Sequence, residues 1–133
     1  MRITFRAVRG VFQEDEELLS AGFDSGADWE EKGGHFLSLQ RSAEGLRGDL
    51  EDWEADGLYV ELDDQVYSGY GVVRECRLSR GMLSVDLETP IEDAEEIEGF
   101  DVELAIDDKS FDALKAGLPR IIEGSLAQLV VVE

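Results

Sequence analysis

The chain has 133 residues, which is the length of one domain and is enough to bury a hydrophobic core without disulfides. Its 43% hydrophobic content excludes an intrinsically disordered chain. The 32 acidic residues outnumber the 12 basic ones, and the net charge of −20 excludes nucleic-acid binding through a basic surface. A field of this sign either attracts basic partners or serves solubility alone. We therefore expect a single domain over residues 1–133.

The cysteine content and the apolar segments give the expected compartment. Cys76 is the only cysteine, so neither an internal disulfide nor a multi-thiolate metal site can form. Its place on the inward side of a predicted strand favours a small buried apolar group over a nucleophile. Residues 1–6 lack the features of a signal peptide, and the longest aliphatic run, residues 129–132, is too short to cross a membrane. These features predict a cytoplasmic protein without membrane contact.

The N-terminal part contains two predicted strands separated by an acidic segment. Residues 2–7 and 35–41 alternate between apolar and polar side chains, as strands do when successive side chains point to opposite faces. Between them, residues 14–31 carry eight acidic residues and predict a loop with one short helical turn. Residues 42–56 predict a second polar connection.

The central segment, residues 57–87, is predicted to form three antiparallel strands. Residues 58–63 alternate clearly, and the alternation resumes after a connection at residues 67–71. Arg80 and Gly81 mark a tight hairpin before the third of these strands.

The C-terminal part combines a strand, a helix and a closing strand. Residues 100–107 show the clearest alternation in the chain. A helix over residues 108–117 follows, capped by an aspartate, and Pro119 predicts a kink or a second short turn beyond it. Residues 126–132 predict a final strand that is well covered, because it is apolar on both faces.

Together these elements predict an α+β domain, with a mostly antiparallel β-sheet of about seven strands and one late helix packed on one face. The opposite face of that sheet would be exposed and polar. Its predicted side chains are Tyr59, Glu61, Asp63, Glu75, Arg77, Asp86, Asp101 and Glu103.

No arrangement of residues predicts an enzyme or a cofactor site. His35 is the only histidine and has no partners at the spacing of a metal site or a catalytic triad. The carboxylates are so numerous that no pair is singled out for acid–base chemistry. Gly69-Tyr70-Gly71 lacks the third glycine and the following helix of a phosphate-binding loop.

The sharpest local match to a binding motif is a calcium-loop pattern at residues 52–63. Oxygen-bearing side chains occupy positions 1, 3, 5 and 12, and Gly57 occupies position 6. Glu54 at position 3 is longer than the usual ligand, Asp63 at position 12 is too short, and a strand follows where a helix is required. No metal ligand is therefore assigned, and an acidic calcium-binding or structural module is kept as the alternative hypothesis.

The aromatic residues favour a recognition surface. Trp29, Trp53, Tyr59, Tyr67 and Tyr70 lie in or beside acidic segments. Interface cores favour Trp and Tyr as anchors, and acidic rims steer basic partners. Some of these aromatics are expected to belong to the core, and Tyr70 suits a hairpin contact as well as a partner contact.

Three segments also carry a family pattern. They are Leu37-Ser38-Leu39-Gln40-Arg41, Tyr59-Val60-Glu61-Leu62-Asp63-Asp64-Gln65 and Ser68-Gly69-Tyr70-Gly71. Over residues 36–123 the chain resembles the immunity protein 10 family, small bacterial proteins found beside toxins of polymorphic toxin systems.

The resemblance implies an antidote that binds its cognate toxin stoichiometrically inside the producing cell. The acidic charge agrees with a basic toxin, and a less selective acidic decoy that imitates nucleic acid is a further hypothesis. The residues expected to contact the partner are Trp53, Tyr59, Glu61, Asp63, Asp64, Gln65 and Tyr70.

Overall fold

The computed structural model describes residues 1–16, 18–26, 34–42, 58–63, 67–91, 94–122, 125 and 127–132. Ten strands and one helix lie in this part of the chain. In chain order they are β1 (Arg2–Ala7), β2 (Arg9–Glu14), β3 (Leu18–Asp24), β4 (Phe36–Ser42), β5 (Leu58–Leu62), β6 (Tyr67–Tyr70), β7 (Val73–Ser79), β8 (Met82–Leu87), β9 (Gly99–Leu104), α1 (Asp108–Ile122) and β10 (Gln128–Val131).

The strands form two five-stranded sheets. The first, called the mixed sheet below, has the order β1-β9-β8-β7-β10, and its two edge strands run parallel to their neighbours. The second, called the antiparallel sheet, has the order β2-β3-β4-β5-β6 with every neighbouring pair antiparallel. The α+β class with a late helix is confirmed, whereas the expected count of about seven strands is too low.

Three strands are additional, and two of them, β3 and β6, lie where connections were predicted. Leu19, Ala21 and Phe23 of β3 are buried and alternate with Ser20 and Gly22, so a period-two pattern lies within the acidic segment. The neighbouring carboxylates obscured that pattern in the sequence. The short strand β6 likewise replaces a predicted connection, because it pairs along its whole length with β5.

The polar side chains expected on one exposed face belong to two different sheets. Tyr59 and Glu61 lie on the antiparallel sheet, whereas Glu75, Asp86 and Asp101 lie on the mixed sheet. Alternation assigns a side chain to one face of its own strand, but it does not tell which strands share a sheet. The prediction of a single polar face is therefore wrong.

Both sheets and the helix contribute to one hydrophobic core. Helix α1 packs against β2, β3 and β4 of the antiparallel sheet and also contacts β10. Two glycines permit this close approach, because a Cβ at Gly10 would lie 2.8 Å from Leu114 and a Cβ at Gly117 would overlap the ring of Phe12. The helix therefore covers the inner face of β2, β3 and β4.

Helix α1 begins with a side-chain cap and ends with a buried cation. The Asp107 carboxylate accepts a hydrogen bond from the backbone N–H of Ser110 at 2.7 Å. At the other end, the buried guanidinium of Arg41 donates to the carbonyl of Ile121 at 2.7 Å. The helix continues through Pro119 to Ile122, beyond the end predicted near residue 117, because its last turn buries apolar side chains in the core.

The closing strand is shorter and more exposed than expected. It spans Gln128–Val131 and pairs in parallel with β7 at the edge of the mixed sheet. Val130 and Val131 are exposed, so the prediction of a well-covered strand is wrong. Within the described ranges, no helix has both the length and the apolar character that crossing a membrane requires.

We predict that Gly117→Ala lowers the free energy of unfolding by about 1–2 kcal/mol, although alanine is the better helix former. Overpacking costs about 1–3 kcal/mol and outweighs about 1 kcal/mol of helix propensity. Urea denaturation of the wild type and the variant measures the change. In a Phe12→Leu background the substitution should become neutral or stabilising, because the ring that it meets is gone. Equal effects in both backgrounds would contradict the packing argument.

We also predict a pH dependence from Cys76. The thiol is buried in the core, and burial, followed by the nearby Asp86 and Glu75, raises its pKa to about 12. An unfolded cysteine titrates near about 8.5, so the neutral thiol stabilises the fold fully below that pH and loses its contribution as the pH rises toward 12. Between pH 8.5 and pH 10 the wild type should lose about 2 kcal/mol more than Cys76→Ala. Urea denaturation at several pH values measures the free energy of unfolding of both proteins. If it falls equally with pH in the wild type and in Cys76→Ala, the prediction is wrong.

Candidate functional site

The outer face of the antiparallel sheet consists of rows of side chains that cross its strands. The strand register places neighbours in rows because residues directly opposite each other point to the same face. One row contains Val11, Gly22, Ser38, Glu61 and Ser68, and the next contains Gln13, Ser20, Gln40, Tyr59 and Tyr70. The sheet thereby joins residues that are up to 57 positions apart in the sequence.

Four side chains of this face form what we call the tyrosine–glutamate cluster: Gln40, Tyr59, Glu61 and Tyr70. The Tyr59 hydroxyl donates to Oε2 of Glu61 at 3.0 Å, and Nε2 of Gln40 donates to Oε1 at 3.3 Å. The rings of Tyr59 and Tyr70 are tilted with their centroids 4.8 Å apart. Burial, together with the adjacent Glu61 carboxylate, raises the pKa of Tyr59.

Glu61 is buried although it lies on the outer face of the sheet. Only 6% of it is exposed, and the two hydrogen bonds that it accepts from described side chains come from uncharged donors. Burying a carboxylate is expensive unless hydrogen bonds or a cation compensate it. Among the residues that the structure describes, this carboxylate therefore has hydrogen bonds from neutral groups only and no cationic partner.

Other carboxylates of the chain have arginine partners. Arg9 binds Asp24 through two hydrogen bonds of 2.8 and 2.9 Å at the edge of the same face. On the mixed sheet, Arg2 binds Asp101 at 2.8 Å, and this hydrogen bond lowers the pKa of Asp101. These charges are neutralised within the chain, in contrast to Glu61.

A shallow groove of about 270 Å³ lies beside the cluster on the same face. It is open because Ser20, Gly22 and Ser38 are small, and Phe36 and Val11 form part of its walls. Ser38 lines the groove and is the neighbour of Glu61 across the strand pair. Ser38 is thus the link between the groove and the cluster, whose own four side chains do not line the groove.

Asp63 lies at the end of β5 and has a different role. Its Oδ1 accepts a hydrogen bond from the backbone N–H of Phe36 at 3.1 Å, and its backbone N–H donates to the Phe36 carbonyl at 2.7 Å. Nδ1 of His35 lies 3.0 Å from its Oδ2. Asp63 has a positive φ of 58°, a conformation that aspartate tolerates better than most residues. It therefore closes the end of the β4–β5 pair.

The structure brings together some of the residues that the sequence singled out. Tyr59, Glu61 and Tyr70 share the cluster, whereas Asp63 is used at the end of the strand pair. Trp53, Asp64 and Gln65 lie outside the described residues, as does Trp29. Tyr67 points to the opposite face and packs against the core.

Sequence reasoning missed Gln40 and Ser38 as neighbours of Glu61. Both lie on β4 in the alternation that was recognised there, but the pairing of β4 with β5 was not readable. The sequence does contain one indication of their position. Ser38 and Gln40 alternate with three residues that are buried, Leu37, Leu39 and Arg41, so both point to the outer face.

The described residues contain no group of three or more His, Cys, Asp or Glu side chains placed to hold a metal ion. Asp63, position 12 of the calcium-loop pattern, directs its carboxylate to Phe36 and His35. Residues 52–57 of that pattern lie outside the described residues.

We predict that Asp63→Ala destabilises the fold by about 2 kcal/mol, whereas Asp63→Asn changes it by less than about 0.5 kcal/mol. Alanine bears a backbone penalty of about 1 kcal/mol at positive φ and loses a hydrogen bond worth about 1 kcal/mol. Asparagine tolerates this φ and keeps an acceptor for the Phe36 N–H. Thermal unfolding of both variants measures the difference. Equal losses of stability in the two variants would contradict the roles given to the acceptor oxygen and to the positive φ.

Comparison with models of known protein families identifies one family that matches this chain. The family model described as Immunity protein 10 matches residues 4–112, which extend from β1 into helix α1. No curated protein and no solved structure matches the chain. The matched region covers most of the 133 residues and includes the whole outer face of the antiparallel sheet. The chain therefore belongs to the immunity protein 10 family.

Proposed function

We propose that this protein neutralises a cognate toxin by forming a stoichiometric complex that occludes it, and that the outer face of the antiparallel sheet is the docking surface. The observation that carries the proposal is the tyrosine–glutamate cluster, which combines two adjacent tyrosine rings with a buried carboxylate. Tyrosines at the centre of an interface contribute large contact areas at a small entropy cost. Membership of the family supports a toxin as the partner.

The charge of the chain supports a basic toxin. A net charge of −20 attracts a basic partner over a distance and speeds the encounter at low ionic strength. Residues 43–57, which join β4 to β5, contain six acidic residues and one arginine in the sequence. This acidic segment is therefore connected to two strands of the proposed docking surface.

The mixed sheet is a weaker candidate for the docking surface. Its carboxylates Asp86 and Asp101 lie 2.8 Å from the guanidinium of Arg2, and Glu75 lies 2.6 Å from Arg77. A basic partner would have to replace these internal cations. The antiparallel sheet presents Glu61 without such a competitor among the described residues.

In this proposal the protein acts in the cytoplasm of the producing cell as a binder, without a catalytic step, a cofactor or a nucleic-acid partner. Trp53, Asp64 and Gln65 contribute from the segments that border β5. Selectivity for one toxin comes from the shape of the cluster and the groove, because charge alone would admit many basic proteins.

We predict that Tyr70→Ala weakens the complex with the toxin encoded beside this protein by at least about tenfold, the usual range for an interface anchor. Tyr70 is 37% exposed, so its truncation should leave the fold intact. Isothermal titration calorimetry measures the affinity and the 1:1 stoichiometry. Val130→Ala, an exposed apolar truncation on the mixed sheet, is the matched control and should bind as the wild type does.

The same titrations at increasing salt test the electrostatic part of the proposal. The affinity should fall with ionic strength because exposed charges are screened beyond about 10 Å at 0.1 M salt. Absence of a complex at every salt concentration would overturn the antidote function. A calcium-dependent heat in the absence of toxin would favour the calcium-binding alternative.

A further inference from the structure

Glu61 has unused capacity to accept hydrogen bonds. Among the described residues, Tyr59 and Gln40 each donate one hydrogen bond to a different carboxylate oxygen, whereas an ionised carboxylate offers about four acceptor positions. Within the described residues, Glu61 takes part in no ion pair, although Asp24, Asp86 and Asp101 each bind an arginine. Buried charges in proteins are usually paired, so a cation from outside the chain would supply the partner that the described residues do not.

The groove ends beside this carboxylate, because Ser38 lines the groove and is the cross-strand neighbour of Glu61. Gly22, Ser38 and Glu61 are consecutive in one row across β3, β4 and β5. Neighbouring strands lie roughly 4.8 Å apart, so Gly22 is roughly 10 Å from Glu61 along the row. A long, narrow side chain that enters the groove over Gly22 would bring its terminal group to Ser38, the residue next to Glu61 in the row.

We propose that the groove receives an arginine side chain of the partner, with its guanidinium bound to Glu61 and stacked on Tyr59. The inference rests on the proposed function for the identity of the partner as a basic toxin. The chemistry of the receptor itself comes from the groove, the carboxylate and the aromatic pair.

Arginine fits this receptor better than lysine or a metal ion. The guanidinium is planar, can donate two parallel hydrogen bonds to one carboxylate and stacks on aromatic rings. It is also more weakly hydrated than an ammonium group, so its burial is easier. A metal ion would need further oxygen ligands, but Gln40 turns its amide N–H toward Glu61 and the Tyr59 hydroxyl is a donor there.

The test titrates the purified protein with the peptide acetyl-Gly-Arg-Gly-amide and follows backbone amides by two-dimensional NMR. A citrulline peptide of the same shape without charge and a lysine peptide are the matched probes. We expect saturable shifts at Ser38, Glu61 and Ser68 with the arginine peptide. Its affinity should be at least about tenfold higher than that of either other peptide.

Two variants locate the binding to this receptor. Glu61→Gln keeps the size of the side chain and should remove the preference for arginine over citrulline. Gly22→Val should block the groove while leaving Glu61 in place, and its Cβ would make only an ordinary 3.6 Å contact with Phe36. Glu103→Gln is the control, because it removes one exposed carboxylate from the mixed sheet and should leave arginine binding unchanged.

The outcomes separate this inference from the proposed function. Equal affinity for arginine and citrulline, equal affinity for arginine and lysine, or unchanged arginine binding in Glu61→Gln and Gly22→Val would overturn the arginine receptor. If the toxin binds the wild type and Glu61→Gln with equal affinity, the receptor is wrong while neutralisation by binding stands. If the arginine peptide binds as expected but no toxin complex forms, the receptor stands and the proposed partner is wrong.

Discussion

The packing of helix α1 against the antiparallel sheet is the constraint on which the rest of the structure depends. Gly10 leaves room for the Leu114 side chain and Gly117 for the Phe12 ring, and Arg41 binds the carbonyl of Ile121 at the end of the helix. A cation at a helix C-terminus is favoured by the partial negative charge of the exposed carbonyls. The chain continues from α1 to β10, an edge strand of the mixed sheet. The helix therefore connects the two sheets through its packing on one and its link to the other.

The same constraint turns the opposite face of the antiparallel sheet away from the hydrophobic core. Its inner side chains, including Phe23, Leu37 and Leu39, are occupied in the core, so the alternate side chains must point outward. Several of these are small, which opens the groove, while the Tyr59 hydroxyl binds Glu61 and the Tyr59 ring packs on Tyr70. A rigid sheet therefore holds the cluster in place before any partner arrives, which reduces the entropy lost on binding.

The two sheets also treat their charges differently. The mixed sheet pairs Arg2 with Asp86 and Asp101, so much of its charge is balanced within the chain. The antiparallel sheet buries Glu61 among neutral donors and is continuous with acidic segments of the sequence. A division of this kind gives one face a structural role and leaves the other suited to a basic partner, as the proposed function requires.

The sequence by itself determined the late helix, the inward phase of strands such as β5 and β9, and the buried character of Cys76. Each of these follows from local periodicity or from the chemistry of one residue. Tertiary structure alone decided that the strands form two sheets, that β3 lies within an acidic segment, and that Ser38 and Gln40 flank Glu61. The reason is physical: alternation records which way each side chain points, whereas strand pairing depends on contacts between distant segments that compete for the same core.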